Sequence, residues 1–239
     1  MAPPRRALTA VLVVLALAAA GVLAVGTLGY CSVFGCTFFS EDFDPHGERA
    51  TSARADATAG VAALADRVSL GYEVLAVGTV DGCVEGQHNW KRKDVYSHEC
   101  SVVDSRVLLA TRDPAAVADG LTAMDAVLRG LGCAPTPAGG LDRVRDEYWR
   151  DDNPQVQRRG AAGLPSAWYT CSDGRTVLAK PTSDAEPSTD PEAAFGSRSP
   201  GDEISGSWYT AADVSALTAS GAQLALVMRV EQTYYRTRF

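Results

Sequence analysis

The side chains best suited to chemistry are concentrated in one polar segment, residues 81–99. It holds two of the three histidines of the chain, His88 and His98, and a short cationic stretch beside an aromatic residue. Imidazole is a common ligand of zinc and copper, and Lys and Arg attract anionic partners such as lipid headgroups. The sequence therefore predicts a binding loop whose candidate residues are His88, Trp90, Lys91, Arg92, Lys93 and His98.

Cys83 lies near the start of this segment and Cys100 directly follows it, and the two would complete a set of four metal ligands with the two histidines. The spacing matches no recognised zinc site, and thiols outside the cytosol are oxidised to disulfides. A disulfide-closed, solvated loop is therefore the favoured interpretation, and we expect neither a metal nor a cofactor. The alternative is an extracytoplasmic enzyme or metal-binding protein that uses this loop.

The chain contains six cysteines, an even number that predicts disulfides in an oxidising compartment. Sequence alone does not fix their connectivity. We expect pairing between near neighbours along the chain, namely Cys31 with Cys36, Cys83 with Cys100, and Cys133 with Cys171.

No catalytic residue is predicted. The sequence has no nucleophile elbow, phosphate-binding loop or dinucleotide fingerprint, and oxidised cysteines are not nucleophiles. Without Arg5 and Arg6, the 22 basic residues fall to 20 against 29 acidic ones, a net charge of −9. Because such a surface repels phosphates, nucleic acid is excluded as a partner, and a non-catalytic binding or interaction domain is the favoured function.

An uncharged run at residues 7–29 predicts on which side of the membrane these groups lie. As a helix it is about 34 Å long, enough to span a hydrocarbon core of about 30 Å. Arg5 and Arg6 precede it, which favours a cytoplasmic amino terminus. We expect a cytoplasmic tail at 1–6, a signal anchor at 7–29, a juxtamembrane segment at 30–47 and an extracytoplasmic domain at 48–239.

Two alternatives for the leader stay open. Ala18 to Ala20 suit cleavage of a signal peptide, and Cys31 or Cys36 suits lipid modification, although bulky residues precede both. All three interpretations place most of the chain outside a single-pass cell-membrane anchor. The expected partners are therefore the lipid bilayer and an envelope protein or cell-wall component.

Hydrophobic periodicity predicts the elements of the outer domain. Residues 48–69 and the segment from Asp113-Pro114 to Gly132 are predicted as helices, with shorter helices near 141–148 and 210–219. Strands are predicted at 72–80, at 100–111, on both sides of Asp173-Gly174, and from Leu224 onwards. The segment 181–207, rich in Pro and Ser, is predicted as a disordered loop.

This order predicts an α+β domain, with an antiparallel sheet packed against two main helices and stabilised by disulfides. The aromatic residues Trp149, Trp168, Trp208 and Tyr234-Tyr235 would line a groove if exposed. Packing in the core is the favoured interpretation for most of them.

Overall fold

A computed structural model of the chain describes residues 43–87, 94–137, 139–148, 166–183, 195, 203–219 and 221–237. The chain forms two compact units. Of the described residues, the smaller unit contains 43, 86–87, 94–98 and 237, and the larger contains the rest of the sheet and the helices. The predicted leader at 1–6, 7–29 and 30–42 lies outside the described residues, as do Cys31 and Cys36. Among the helices in the described ranges, none has the length and apolar character needed to cross a bilayer.

The larger unit is built on one seven-stranded antiparallel sheet whose spatial order is β3-β4-β5-β7-β2-β1-β6. The strands are β1 (Ala76–Glu85), β2 (His98–Thr111), β3 (Cys133–Pro135), β4 (Ala167–Cys171), β5 (Thr176–Ser183), β6 (Glu203–Ser207) and β7 (Leu224–Thr237). Strands β4 and β5 form the hairpin predicted at Asp173-Gly174, and Gly174 adopts a positive φ of 87° in its turn. The α+β class and its antiparallel sheet are confirmed.

Four helices occur in the described ranges: α1 (Glu48–Ser69), α2 (Pro114–Gly130), α3 (Leu141–Tyr148) and α4 (Ala211–Ala219). Helix α2 begins as predicted, because the Asp113 carboxylate accepts a hydrogen bond from the Ala115 amide at 2.9 Å and Pro114 fills the first helical position. Helix α4 begins with Thr210 and Asp213, whose side chains each accept the other's backbone amide.

One side of the sheet, here called the helix face, carries the main hydrophobic core. The apolar stripes of α1 and α2 pack there against alternate residues of β7 and β2. Its buried members include Val61, Leu64 and Val68 of α1, Leu121, Met124 and Leu128 of α2, and Leu226, Met228 and Val230 of β7. Residues three or four positions apart on the helices thus pack against residues two positions apart on the strands.

The other side, here called the second face, is covered over β1 and β2 by the segment 208–219. Tyr209 and Leu217 form a small core with Val107 and Ala225. Trp208 packs with Val80 and Val103, and a Cβ on Gly78 would lie 2.5 Å from its ring. Because both faces are covered there, β2 is buried from Cys100 to Leu108.

Two sequence predictions are corrected. The first strand begins at Ala76 instead of Tyr72, because Gly71 turns the chain at φ 95° and the Tyr72 hydroxyl donates to the Gly120 carbonyl of α2 at 2.8 Å. The segment 181–207 is ordered at both ends: residues 181–183 pair with β7, and β6 pairs with β1. The segment has too few apolar residues to be ordered by burial, and its two ends are ordered by backbone hydrogen bonds to neighbouring strands instead. Apart from Phe195, residues 184–202 lie outside the described residues.

Candidate functional site

The predicted loop residues fall mostly outside the described part of the chain. His88, Trp90, Lys91, Arg92 and Lys93 are not described, so their convergence stays a prediction. His98 is described at the start of β2, in the smaller unit. Its ring stacks on Phe43 with centroids 4.0 Å apart, and its buried Nδ1 has no hydrogen-bond partner among the described residues.

The two cysteines that flank this loop form a disulfide, as predicted. Cys83 of β1 and Cys100 of β2 are bonded, and Cys133 of β3 is bonded to Cys171 of β4. Each bond joins neighbouring strands of the sheet. Oxidised sulfur does not ligate metal as a thiolate does, so Cys83 and Cys100 do not complete a zinc site. No group of three or more potential metal ligands occurs within the described ranges.

A polar cluster beside the Cys83–Cys100 bond lies on the helix face. Arg54 of α1 is 2.5 Å from the Asp81 carboxylate and donates to the Tyr234 hydroxyl at 3.0 Å, and Tyr234 donates to Asp81 at 2.7 Å. Burial and the hydrogen bond to Asp81 raise the pKa of Tyr234 to about 12. Each of the three side chains is thus bonded to the other two. The cluster therefore holds α1 against β1 and β7, and the Tyr234 hydroxyl is engaged within it instead of lining a binding groove.

A different arrangement lies on the second face, where β4, β5 and β7 run side by side. Strand register places six side chains there in two rows of three: Trp168, Leu178 and Arg229 in one row, and Thr170, Thr176 and Glu231 in the other. Neighbouring strands are about 4.8 Å apart and alternate residues along a strand about 6.8 Å. We call these six residues the Trp168 face.

The Trp168 face is only partly buried. Trp168 is 43% exposed, and the side chains of Arg229 and Glu231 are 21% and 30% exposed. The intervening residues of β4 and β5 point to the helix face and are buried, among them Ala167, Tyr169 and Val177. The exposure of Trp168 therefore follows from the side of the strand it occupies.

At the centre of this surface is an ion pair. Arg229 and Glu231 are two residues apart on β7, and a guanidinium nitrogen lies 3.3 Å from a carboxylate oxygen. Burial lowers the pKa of Arg229 and raises that of Glu231, and the attraction between the two charges opposes both shifts. Each charge is thus held in a fixed place at reduced solvation, next to an exposed aromatic ring.

On the β2 side, the ion pair is bordered by Ser105 and Tyr209. The Tyr209 hydroxyl donates to Ser105 Oγ at 2.6 Å, and burial raises the pKa of Tyr209 above its ordinary range. This hydrogen bond belongs to the segment that covers the other half of the second face. The Trp168 face is therefore a bounded surface, with a polar wall on one side and Trp168 on the other.

Sequence reasoning named Trp168 as a possible groove residue but favoured core packing, and it did not connect Trp168 with Arg229 or Glu231. A signal was present in the β4 sequence Ala-Trp-Tyr-Thr-Cys, in which Trp168 and Thr170 alternate with residues that suit a core. Trp208 is packed as expected, and Trp149 lies outside the described residues.

The comparisons with known proteins assign no relative. The chain matches no protein-family model, and neither the search of curated proteins nor that of solved structures finds a match.

Proposed function

We propose that this chain is a single-pass cell-membrane protein whose extracytoplasmic α+β domain binds an envelope component without catalysing a reaction. The observation that carries the proposal is the pair of disulfides, Cys83–Cys100 and Cys133–Cys171. Structural disulfides persist in oxidising compartments and are rare in the cytosol. The uncharged run at 7–29, preceded by Arg5 and Arg6, supplies the anchor.

Binding is favoured over catalysis because two pairs of opposite charge in the described part of the larger unit, one buried and one half-buried, are bonded to each other. Asp104 is paired with Arg106, and Glu231 with Arg229. A catalytic acid or base has a pKa near the working pH and lies in reach of a substrate proton. These pairs instead hold the sheet together or, on the Trp168 face, present fixed polar groups to a partner.

Photocrosslinking in intact cells tests this function directly. A photoreactive amino acid at Thr170 lies within the Trp168 face, and the same amino acid at Asp119, exposed on α2, serves as the matched control. We expect Thr170 to capture an envelope component that Asp119 does not. If both positions give the same products, or if the captured neighbours are cytosolic, the proposal is wrong.

The alternative function uses the loop between Cys83 and Cys100 for metal binding or catalysis. The feature in its favour is the buried His98 Nδ1, which has no described hydrogen-bond partner. This alternative requires His88 and His98 to act together. Replacing both with alanine should leave capture at Thr170 unchanged if the domain binds through the Trp168 face, and a chelator should leave its melting temperature unchanged.

A further inference from the structure

The six side chains of the Trp168 face specify the chemistry of a ligand. Arg229 is a donor without acceptor capacity, and Glu231 in its ionised form accepts without donating. The two groups are adjacent, with a guanidinium nitrogen and a carboxylate oxygen 3.3 Å apart. A ligand group that touches both must donate and accept hydrogen bonds, as a hydroxyl or an amide does.

Charge narrows the choice further. Arg229 and Glu231 neutralise each other, so a phosphate or carboxylate that approaches Arg229 is repelled by Glu231, and an ammonium that approaches Glu231 is repelled by Arg229. The outer part of the chain as a whole is acidic. The complementary ligand is therefore uncharged where it contacts this surface.

Trp168 adds an apolar requirement, because its ring is 43% exposed beside the half-buried Leu178. Thr170 and Thr176, in the second row, supply hydroxyls that both donate and accept. A sugar ring combines an apolar face of C–H groups with a rim of hydroxyls. The apolar face suits the indole ring, and the rim suits the Arg229–Glu231 pair.

The size of the surface also favours a sugar over a protein. Stable protein interfaces bury about 800 Å² on each partner and involve about 20 to 30 residues a side. The Trp168 face has six residues, spanning about 10 Å across three strands and about 7 Å along them. This footprint is that of one or two sugar units.

We propose that the Trp168 face binds an uncharged sugar unit of a cell-wall glycan. Trp168 stacks on the apolar face of the ring, and Arg229 and Glu231 together hydrogen-bond a hydroxyl or an N-acetyl amide. This proposal rests on the proposed function, of which it names the ligand class.

The test uses the full chain in lipid nanodiscs, because glycoside detergents carry competing sugars. The probes are chitohexaose, a soluble chain of N-acetylglucosamine, and purified peptidoglycan, with binding followed by calorimetry and by cosedimentation. Trp168→Ala should weaken binding at least tenfold, and Trp168→Tyr should stay within about threefold of the wild type, because a smaller ring is kept. Leu70→Ala, which removes an exposed apolar side chain elsewhere, is the control and should change nothing.

A second variant tests the argument from charge. Glu231→Gln removes the negative charge that pairs with Arg229 and replaces a carboxylate acceptor by a weaker amide oxygen, so it should weaken sugar binding several-fold. An anionic ligand would bind this variant more tightly, because the repulsion is gone. Far-ultraviolet circular dichroism establishes that each variant is folded.

The proposal is overturned if neither probe binds, if Trp168→Ala binds as well as the wild type, or if Glu231→Gln binds the probes much more tightly. Crosslinking at Thr170 separates this failure from that of the proposed function. A protein captured at Thr170 without sugar binding would leave the binding function standing and refute the sugar. Capture of nothing at Thr170, together with no binding of either probe, would refute both.

Discussion

Replacement of Asp104 by alanine removes one half of a buried ion pair on the helix face. Asp104 is 3% exposed and Arg106 is 8% exposed. Two nitrogens of Arg106 bond the Asp104 carboxylate, at 2.8 and 3.1 Å, and Nη1 bonds Asp66 at 2.7 Å and Ser69 at 3.2 Å. Asp104→Ala deletes the two bonds to the buried partner and leaves Arg106 with the two bonds to α1.

The loss in the free energy of unfolding depends on which bonds Arg106 keeps. Breaking a buried pair on one side costs about 3 to 5 kcal/mol, because a desolvated charge is left without compensation. The Asp66 side chain is 70% exposed and still reaches Arg106, so the lower end applies, about 3 kcal/mol. For a domain of this size, about 2 to 4 °C is lost per kcal/mol, so the melting temperature should fall by roughly 6 to 12 °C.

The pKa of Asp104 gives a second expectation. Burial raises it above 3.8, and the hydrogen bonds from Arg106 only partly reverse this. Burial of the charge thus outweighs its attraction to Arg106, and the paired replacement Asp104→Leu with Arg106→Met should be nearly neutral, about 1 kcal/mol either way. The raised pKa also means that the stability linked to this carboxyl is fully present below pH 3.8 and lost as the pH rises through the folded value.

Denaturant unfolding of the wild type, the single variant and the double variant measures these quantities, and Asp66→Ala serves as the control. The control should cost less than about 1 kcal/mol, since its carboxylate is exposed. If Asp104→Ala is no more destabilising than Asp66→Ala, or if the double variant is the least stable of the set, the reasoning about this pair is refuted.

Further predictions concern the disulfides, the tyrosine cluster and the contact under Trp208. Removing Cys133–Cys171, which closes a 38-residue separation, should destabilise by about 4 kcal/mol in the loop-entropy picture, measured by denaturant midpoint; an unchanged midpoint would contradict it. The pKa of Tyr234 is raised from 10.0 to about 12, so its linked stability is fully present below pH 10 and lost as the pH rises through about 12. Tyr234→Phe should therefore remove this decrease in the free energy of unfolding, which denaturant unfolding on both sides of pH 10 would measure. If the variant loses stability at alkaline pH as the wild type does, another group is responsible. Gly78→Ala should cost about 1 to 3 kcal/mol, since its Cβ would overlap Trp208; calorimetric melting should show little change for Gly130→Ala, which meets nothing within 4 Å.

Much of the fold could be predicted because its elements have strong local signals. Helix α2 has a capping aspartate, a proline at its first position and an apolar stripe of Val117, Leu121, Met124 and Leu128, and it lies where the sequence places it. The two described disulfides pair as expected, because each links neighbouring strands. In contrast, β6 has exposed residues and little apolar content. It is ordered because it pairs with the edge of β1, and no pattern within its own sequence predicts that pairing.

The Trp168 face could not be predicted for a related reason. Its rows join β4 and β5, a local hairpin, to β7, which begins after the forty residues 184–223 that follow the hairpin. The alternation within each strand shows which side chains share a side. Only the strand order shows that Arg229 lies beside Leu178, and only the coverage of the second face decides which side is exposed.

The central claim, that the domain is oxidised and lies outside the cytoplasm, is tested most directly by the state of its cysteines in living cells. Cells that carry the full chain are quenched in acid, and the protein is then treated with a maleimide polymer before and after reduction. We expect Cys83, Cys100, Cys133 and Cys171 to be unmodified until the reductant is added, and then to shift the protein on a gel. Modification of these four residues without reductant would contradict the account.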